Sequence, residues 1–174
     1  MYFPYFRGKQ FELILLREQA EFLAANYQVP IIAPVRSNTK QLEKAINTLN
    51  NKVAQHIVIM NPSAGEHADD HSAICDLLQS IPANSSTITG IKLTYNLTEE
   101  HIRNLLDTLP AKPFALIHAG YQNHTWLLAE LTSRQLTPTF NIFLTNPGRL
   151  YKNTFSTNSV VIRGVTEGLS QMVA

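Results

Sequence analysis

The amino-acid sequence predicts an α/β protein, a TIM-barrel-like (β/α) repeat with about seven parallel strands that is partial or incompletely closed. Three observations carry this expectation. Short apolar or β-branched runs alternate with longer stretches of helical period along the chain. Each short run is continuously apolar, as in parallel strands covered on both faces. The unit recurs at a spacing of roughly 25 residues, and no Gly-x-Gly-x-x-Gly turn marks a dinucleotide crevice. An open doubly wound sheet also fits the alternation, but the monotonous βα order favours the barrel-like arrangement. A complete eight-unit barrel needs ~250 residues, so a chain of 174 residues is expected to form a single (β/α) domain over residues 1–174 that lacks part of the ring.

The first strand is read at Tyr2 to Arg7 (YFPYFR), where Phe3 and Tyr5 would place large rings in the sheet core. Pro4 removes a ladder donor, which puts this strand at a sheet edge. After the Arg7-Gly8-Lys9 turn, a helix runs from Lys9 to about Asn26, with Phe11, Ile14, Leu15, Ala20, Phe22 and Leu23 as a broad apolar stripe. Val29 to Val35 is the second strand. Its helix, TKQLEKAINTLNN, sets Leu42, Ile46 and Leu49 on one face and has Asn38 or Thr39 as a cap. The third unit is His56 to Pro62 with a helix from about Ala68 to Ile81. The fourth is Ile88 to Tyr95 with a helix opened by Thr98, whose first turn carries Glu99 and Glu100 against the positive helix end. PFALIHAG with HTWLLAELTSR makes the fifth. TFNIFLTN is the sixth strand, NPGRLYKNTFSTN after it reads as a loop without a helix, and Ser159 to Gly164 is the last strand before a weak TEGLSQMVA tail.

Composition narrows the function classes. Hydrophobic residues at 44% speak against disorder. A net charge of +1, with Lys and Arg spread along the chain, supplies no global field for nucleic acid or a membrane surface, so any charged ligand must be held locally. No apolar run approaches the ~20 residues that cross a bilayer. The single cysteine, Cys75, cannot form an internal disulfide, and the first residues lack the basic start of a secretion signal, so a cytoplasmic protein is expected.

At YFPYFRGKQFELILLRE, VPIIAPVRSN and IVIMNPSAGE the chain resembles the bacterial and phage "beta family" proteins, over Met1 to about Gly164. That resemblance implies a TIM-barrel type of fold and a setting near mobile-element or phage-defence genes. Relatives carry a glutamate where Ala33 stands, which removes an acid/base role there, and they continue beyond the VVIR strand, so this chain is expected to be a shortened form or a fragment. The leading functional expectation is accordingly a non-catalytic accessory protein that acts by contact with a protein partner or a second copy of itself, without a cofactor. The alternative is an enzyme or binder for a small phosphorylated or nucleotide-like ligand at the strand C-terminal face. A third is a relic with a fold and no activity.

Chemistry in such folds sits where strands end. Those positions are Arg7, Lys9, Arg36, Asn38, Asn61, Tyr95, His118, Tyr121, Asn146, Arg149 and Arg163, several of them cationic. Arginines beside helix starts form an anion site without any global charge. Scattered loop charges in solvent are the plain alternative. His118, ending FALIH, is the candidate general base if it faces the mouth of the sheet. In GEHADDH, His67 and His71 lie one helical turn apart beside Glu66 and Asp70 and suggest a metal, although the acidic residues equally suit a helix start and no third ligand has zinc spacing. Cys75, among Ile74, Leu77 and Leu78, reads as core. The turns NPSAG and NPGR read as turn chemistry.

Overall fold

The computed structural model describes residues 1–156 and the backbone of 159–161. Strand and helix alternate as β1 (Tyr5–Phe6), α1 (Gln10–Glu18), α2 (Ala20–Ala25), β2 (Ile31–Ile32), α3 (Lys40–Asn51), β3 (His56–Ile59), α4 (Ser72–Ser80), β4 (Thr87–Thr94), α5 (Glu99–Asp107), β5 (Phe114–Ala119), α6 (His124–Ser133), β6 (Phe140–Phe143) and α7 (Arg149–Thr154). Six strands, all parallel and paired in chain order, form a curled, open sheet. The seventh expected strand is represented by the backbone of β7 (Ser159–Val161), which pairs in parallel with β6. The half-barrel with described side chains is therefore six-stranded.

Two cores separate the faces of this sheet. The inner core is built by strand residues and their flanks, among them Phe3, Ile31, Ile57, Ile59, Ile88, Ala115, Ile117 and Ile142, and contains no helical residue. The outer core joins Ile32, Val58, Met60, Ile91, Leu93, Leu116 and Phe143 to helical Leu16, Ile46, Leu49, Leu78, Ile102 and Leu127. All helices thus cover one face, whereas a doubly wound sheet would be covered on both. The curl is strong. Phe3, before β1, meets Phe140, at the start of β6, edge to face with ring centroids 5.1 Å apart, so the two sides of the half-barrel touch across its interior.

Pro4 costs the sheet nothing, because its carbonyl accepts from Ile31 N at 2.8 Å and its position at the sheet edge asks for no donor. The first helix differs from the expected continuous one. It breaks at Gln19 into α1 and α2, and the buried stripe is Leu13, Leu16, Ala20 and Leu23, spaced to cross that break on one side. Phe11 and Phe22 consequently face solvent, 84% and 52% exposed. Four successive apolar residues, Leu13 to Leu16, allow either stripe, and packing against α3 selects the inner one. The segment after β6 also departs from expectation, since NPGRLYKNTFSTN contains α7. Gly148, at φ +86°, turns the chain into it, and Tyr151 and Phe155 bury against the outer core.

Candidate functional site

The loops at the strand C-terminal ends divide into a rim that is open and a rim that is packed. On the open side, a groove of about 920 Å³ lies between the β1–α1, β2–α3 and β3–α4 loops. Lys9, Arg36, Asn38, Gln41 and the acidic Glu66 are among its polar groups, Phe11 and Pro34 form its apolar walls, and Leu13 and Leu42 its floor. Three expected residues, Lys9, Arg36 and Asn38, are thereby brought into one cleft from consecutive βα loops. Arg7 precedes it in the same loop.

Internal acceptors hold this rim in shape. Glu12, in the first turn of α1, accepts from Arg7 N at 2.9 Å and Lys9 N at 3.1 Å, so the β1–α1 turn is fixed by its own helix. Asn38 Oδ1 accepts from Lys40 N at 3.1 Å at the start of α3. The third acceptor comes from another loop: Glu66 takes Ser37 N at 2.7 Å and Arg36 Nη1 at 3.3 Å. Hydrogen bonding from Ser37, reinforced by the Arg36 guanidinium, lowers the Glu66 carboxyl to about 2.

The GEHADDH stretch is explained by the same clasp. Glu66 N donates to the Val35 carbonyl at 2.9 Å, and His67, 3% exposed, donates from Nε2 to the Arg36 carbonyl at 2.7 Å. Gly65, at φ +89°, lies so close to Val35 that a Cβ there would stand 2.6 Å from both the Val35 Cα and its carbonyl oxygen. Residues 65–71 are used by this clasp and its exit, so α4 begins at Ser72 and not near Ala68. Among the described residues no three His, Cys, Asp or Glu side chains gather as metal ligands would. His71 ends the loop as the N-cap position of α4, with its side chain making no cap bond.

The other expected positions are dispersed. His118 points outward, beneath the helices, and away from the sheet's concave side. It donates from Nε2 to Asn141 Oδ1 at 3.1 Å, accepts at Nδ1 from the Tyr151 hydroxyl at 2.9 Å, and stacks on Phe143 with centroids 4.6 Å apart. Burial pushes its pKa down to about 4. This is a core histidine held by α7. Tyr121 is also buried outward, in the outer core. Tyr95, after β4, is exposed, and so are Asn146 in the turn after β6 and Arg149 at the start of α7, none of them lining the groove. Arg163 lies outside the described residues, as does the TEGLSQMVA tail. Cys75 is half-buried against the outer core, and burial raises its thiol pKa.

Asn61 turns inward at the end of β3 and carries a residue that sequence reasoning passed over. Its side-chain amide bonds the backbone of Lys92 twice, donating to the carbonyl and accepting from the N–H, each at 2.8 Å. Lys92, only 4% exposed, extends from β4 to donate to Ser63 Oγ at 2.7 Å. The signal was a lone cation in ITGIKLTY, two residues before the end of an otherwise uncharged strand. Lys92 and Asn61 tie the inner side of the 61–65 turn to β4, while Gly65, Glu66 and His67 tie its outer side to β2.

Compared with known proteins, the chain matches no family model, no curated protein and no solved structure. Among the described residues, no helix is long and apolar enough to cross a membrane.

Proposed function

We propose that this chain is a TIM-barrel-like, beta-family (β/α) repeat that binds a small anionic ligand, of the phosphorylated or nucleotide-like class, in the groove between the β1–α1 and β2–α3 loops. The observation that carries the reading is the convergence of Lys9 and Arg36 on one cleft of about 920 Å³. That volume suits a metabolite-sized molecule. Its polar rim at the starts of α1 and α3 favours an anion, and the exposed Phe11 ring offers an apolar face to a base or sugar. The placement at strand C-terminal ends agrees with where (β/α) folds carry ligands.

Thermal-shift titration with nucleotides and sugar phosphates tests this. A ligand at 100 times its dissociation constant adds about 2.7 kcal/mol of stability, and Lys9→Glu should cut its affinity by roughly tenfold at low salt. Lys9 is exposed and makes no ion pair among the described residues, so the variant leaves the fold intact. No stabilisation by any member of the panel would overturn the reading.

One observation favours the accessory reading. Phe11, Leu15 and Phe22 are exposed by 84%, 47% and 52% along the outer side of α1 and α2, an apolar run that suits contact with a protein partner or a second copy. A stoichiometric complex abolished by Phe22→Ser, with no shift from any metabolite, would replace the ligand reading by this one.

A further inference from the structure

We propose that the Glu66 carboxylate stands where the anionic group of the ligand binds, so that the β3–α4 loop is a built-in competitor for the groove. The inference rests on the reading of that groove as the ligand site. Ser37 N and Arg36 Nη1 are a backbone donor and a guanidinium side by side, a combination that binds phosphates and carboxylates. A carboxylate from the protein already holds both.

Three features make this occupancy exchangeable. The pair is open to solvent, with the Arg36 and Glu66 side chains 74% and 46% exposed, and such pairs hold weakly. Glu66 reaches these donors from a separate loop, 29 and 30 residues along the chain, whereas Glu12 caps its own helix from three and five residues away. Finally, the loop does not depend on the carboxylate for its seat. Glu66 N on the Val35 carbonyl, His67 on the Arg36 carbonyl and the Gly65 contact with Val35 all remain when the side chain leaves. The low Glu66 pKa keeps the competitor charged at every ordinary pH, so release follows from displacement by a stronger anion and not from protonation. A phosphate monoester, carrying more charge and three acceptor oxygens, is such an anion.

The test is calorimetric titration of inorganic phosphate at low ionic strength into the wild type, Glu66→Ala, Glu66→Gln and the double variant Lys9→Glu/Glu66→Ala. Glu66→Ala should bind phosphate roughly tenfold more tightly than wild type, Glu66→Gln should fall between them, and the double variant should lose most of the gain. Phosphate binding to the wild type that Glu66→Ala leaves unchanged or weakens would overturn the competitor and leave the groove reading standing. Absence of binding to wild type and Glu66→Ala alike, or binding to the double variant as tight as to Glu66→Ala, would overturn both.

Discussion

Gly65→Ala is expected to lower the unfolding free energy by roughly 3 kcal/mol, against about 1 kcal/mol for Gly148→Ala. The two glycines share a left-handed backbone, φ +89° and +86°, so the conformational penalty on an alanine is the same at both. Their surroundings differ. Nothing lies within 4 Å of a Cβ built on Gly148, whereas one on Gly65 would sit 2.6 Å from the Val35 backbone, which has no flexible end to swing aside. The strain can be relieved only by lifting the β3–α4 loop from β2, which gives up Glu66 N to Val35, the buried His67 to Arg36 and the Glu66 contacts together. Urea midpoints at neutral pH measure the difference, and a shift of the His67 ring signals reports the lifted loop. Equal losses in the two variants would mean that the clasp adds no stability.

The order of elements was legible because continuous apolar runs and helical stretches differ in period, and because parallel strands cannot be joined without crossovers. Even Pro4 pointed correctly to an edge strand. What stayed hidden was the facing of residues within strands. In a strand buried on both sides, polarity does not label the faces, so Phe-Ala-Leu-Ile-His-Ala gives no warning that His118 shares the outer side with Phe114 and Leu116 while Ala115 and Ile117 line the interior. A fainter signal existed in size, since the small residues Ala115 and Ala119 fall on the crowded concave side. The helix α7 was missed because its support is tertiary: Tyr151 and Phe155 form it by packing on His118 and Phe143, which no local pattern records. The site was half legible. Lys9 and Arg36 do share a groove, but the role of Glu66 depends on two loops 30 residues apart, and the charges within GEHADDH suited a helix start as well as a weak pair of metal candidates.

Stability is expected to fall steeply as pH drops from 6.5 to 4, by roughly 3 kcal/mol for each of two histidines. His56 is fully buried at the start of β3, donates from Nδ1 to the Ala54 carbonyl at 2.8 Å and has Nε2 3.0 Å from Thr87 Oγ1. His118 is enclosed by Asn141, Tyr151, Phe143 and Phe155. Desolvation pushes both from 6.5 down to about 4, outweighing the Ala54 and Asn141 hydrogen bonds that favour the charged ring. A folded-state pKa below the unfolded value means that the unfolded chain takes up protons first. The full contribution is therefore present above pH 6.5 and is lost as pH falls through 4. The Glu66 carboxylate, held near 2, titrates in a lower window and leaves this one uncluttered. Urea unfolding followed between pH 7 and 4.5 should show a slope approaching two protons, and His118→Gln and His56→Gln should each remove about half of it. A flat profile over that range would mean that both rings take up protons in the fold as readily as in the unfolded chain, and half the slope that one of them does, which the apolar walls around them do not permit without water entering the outer core.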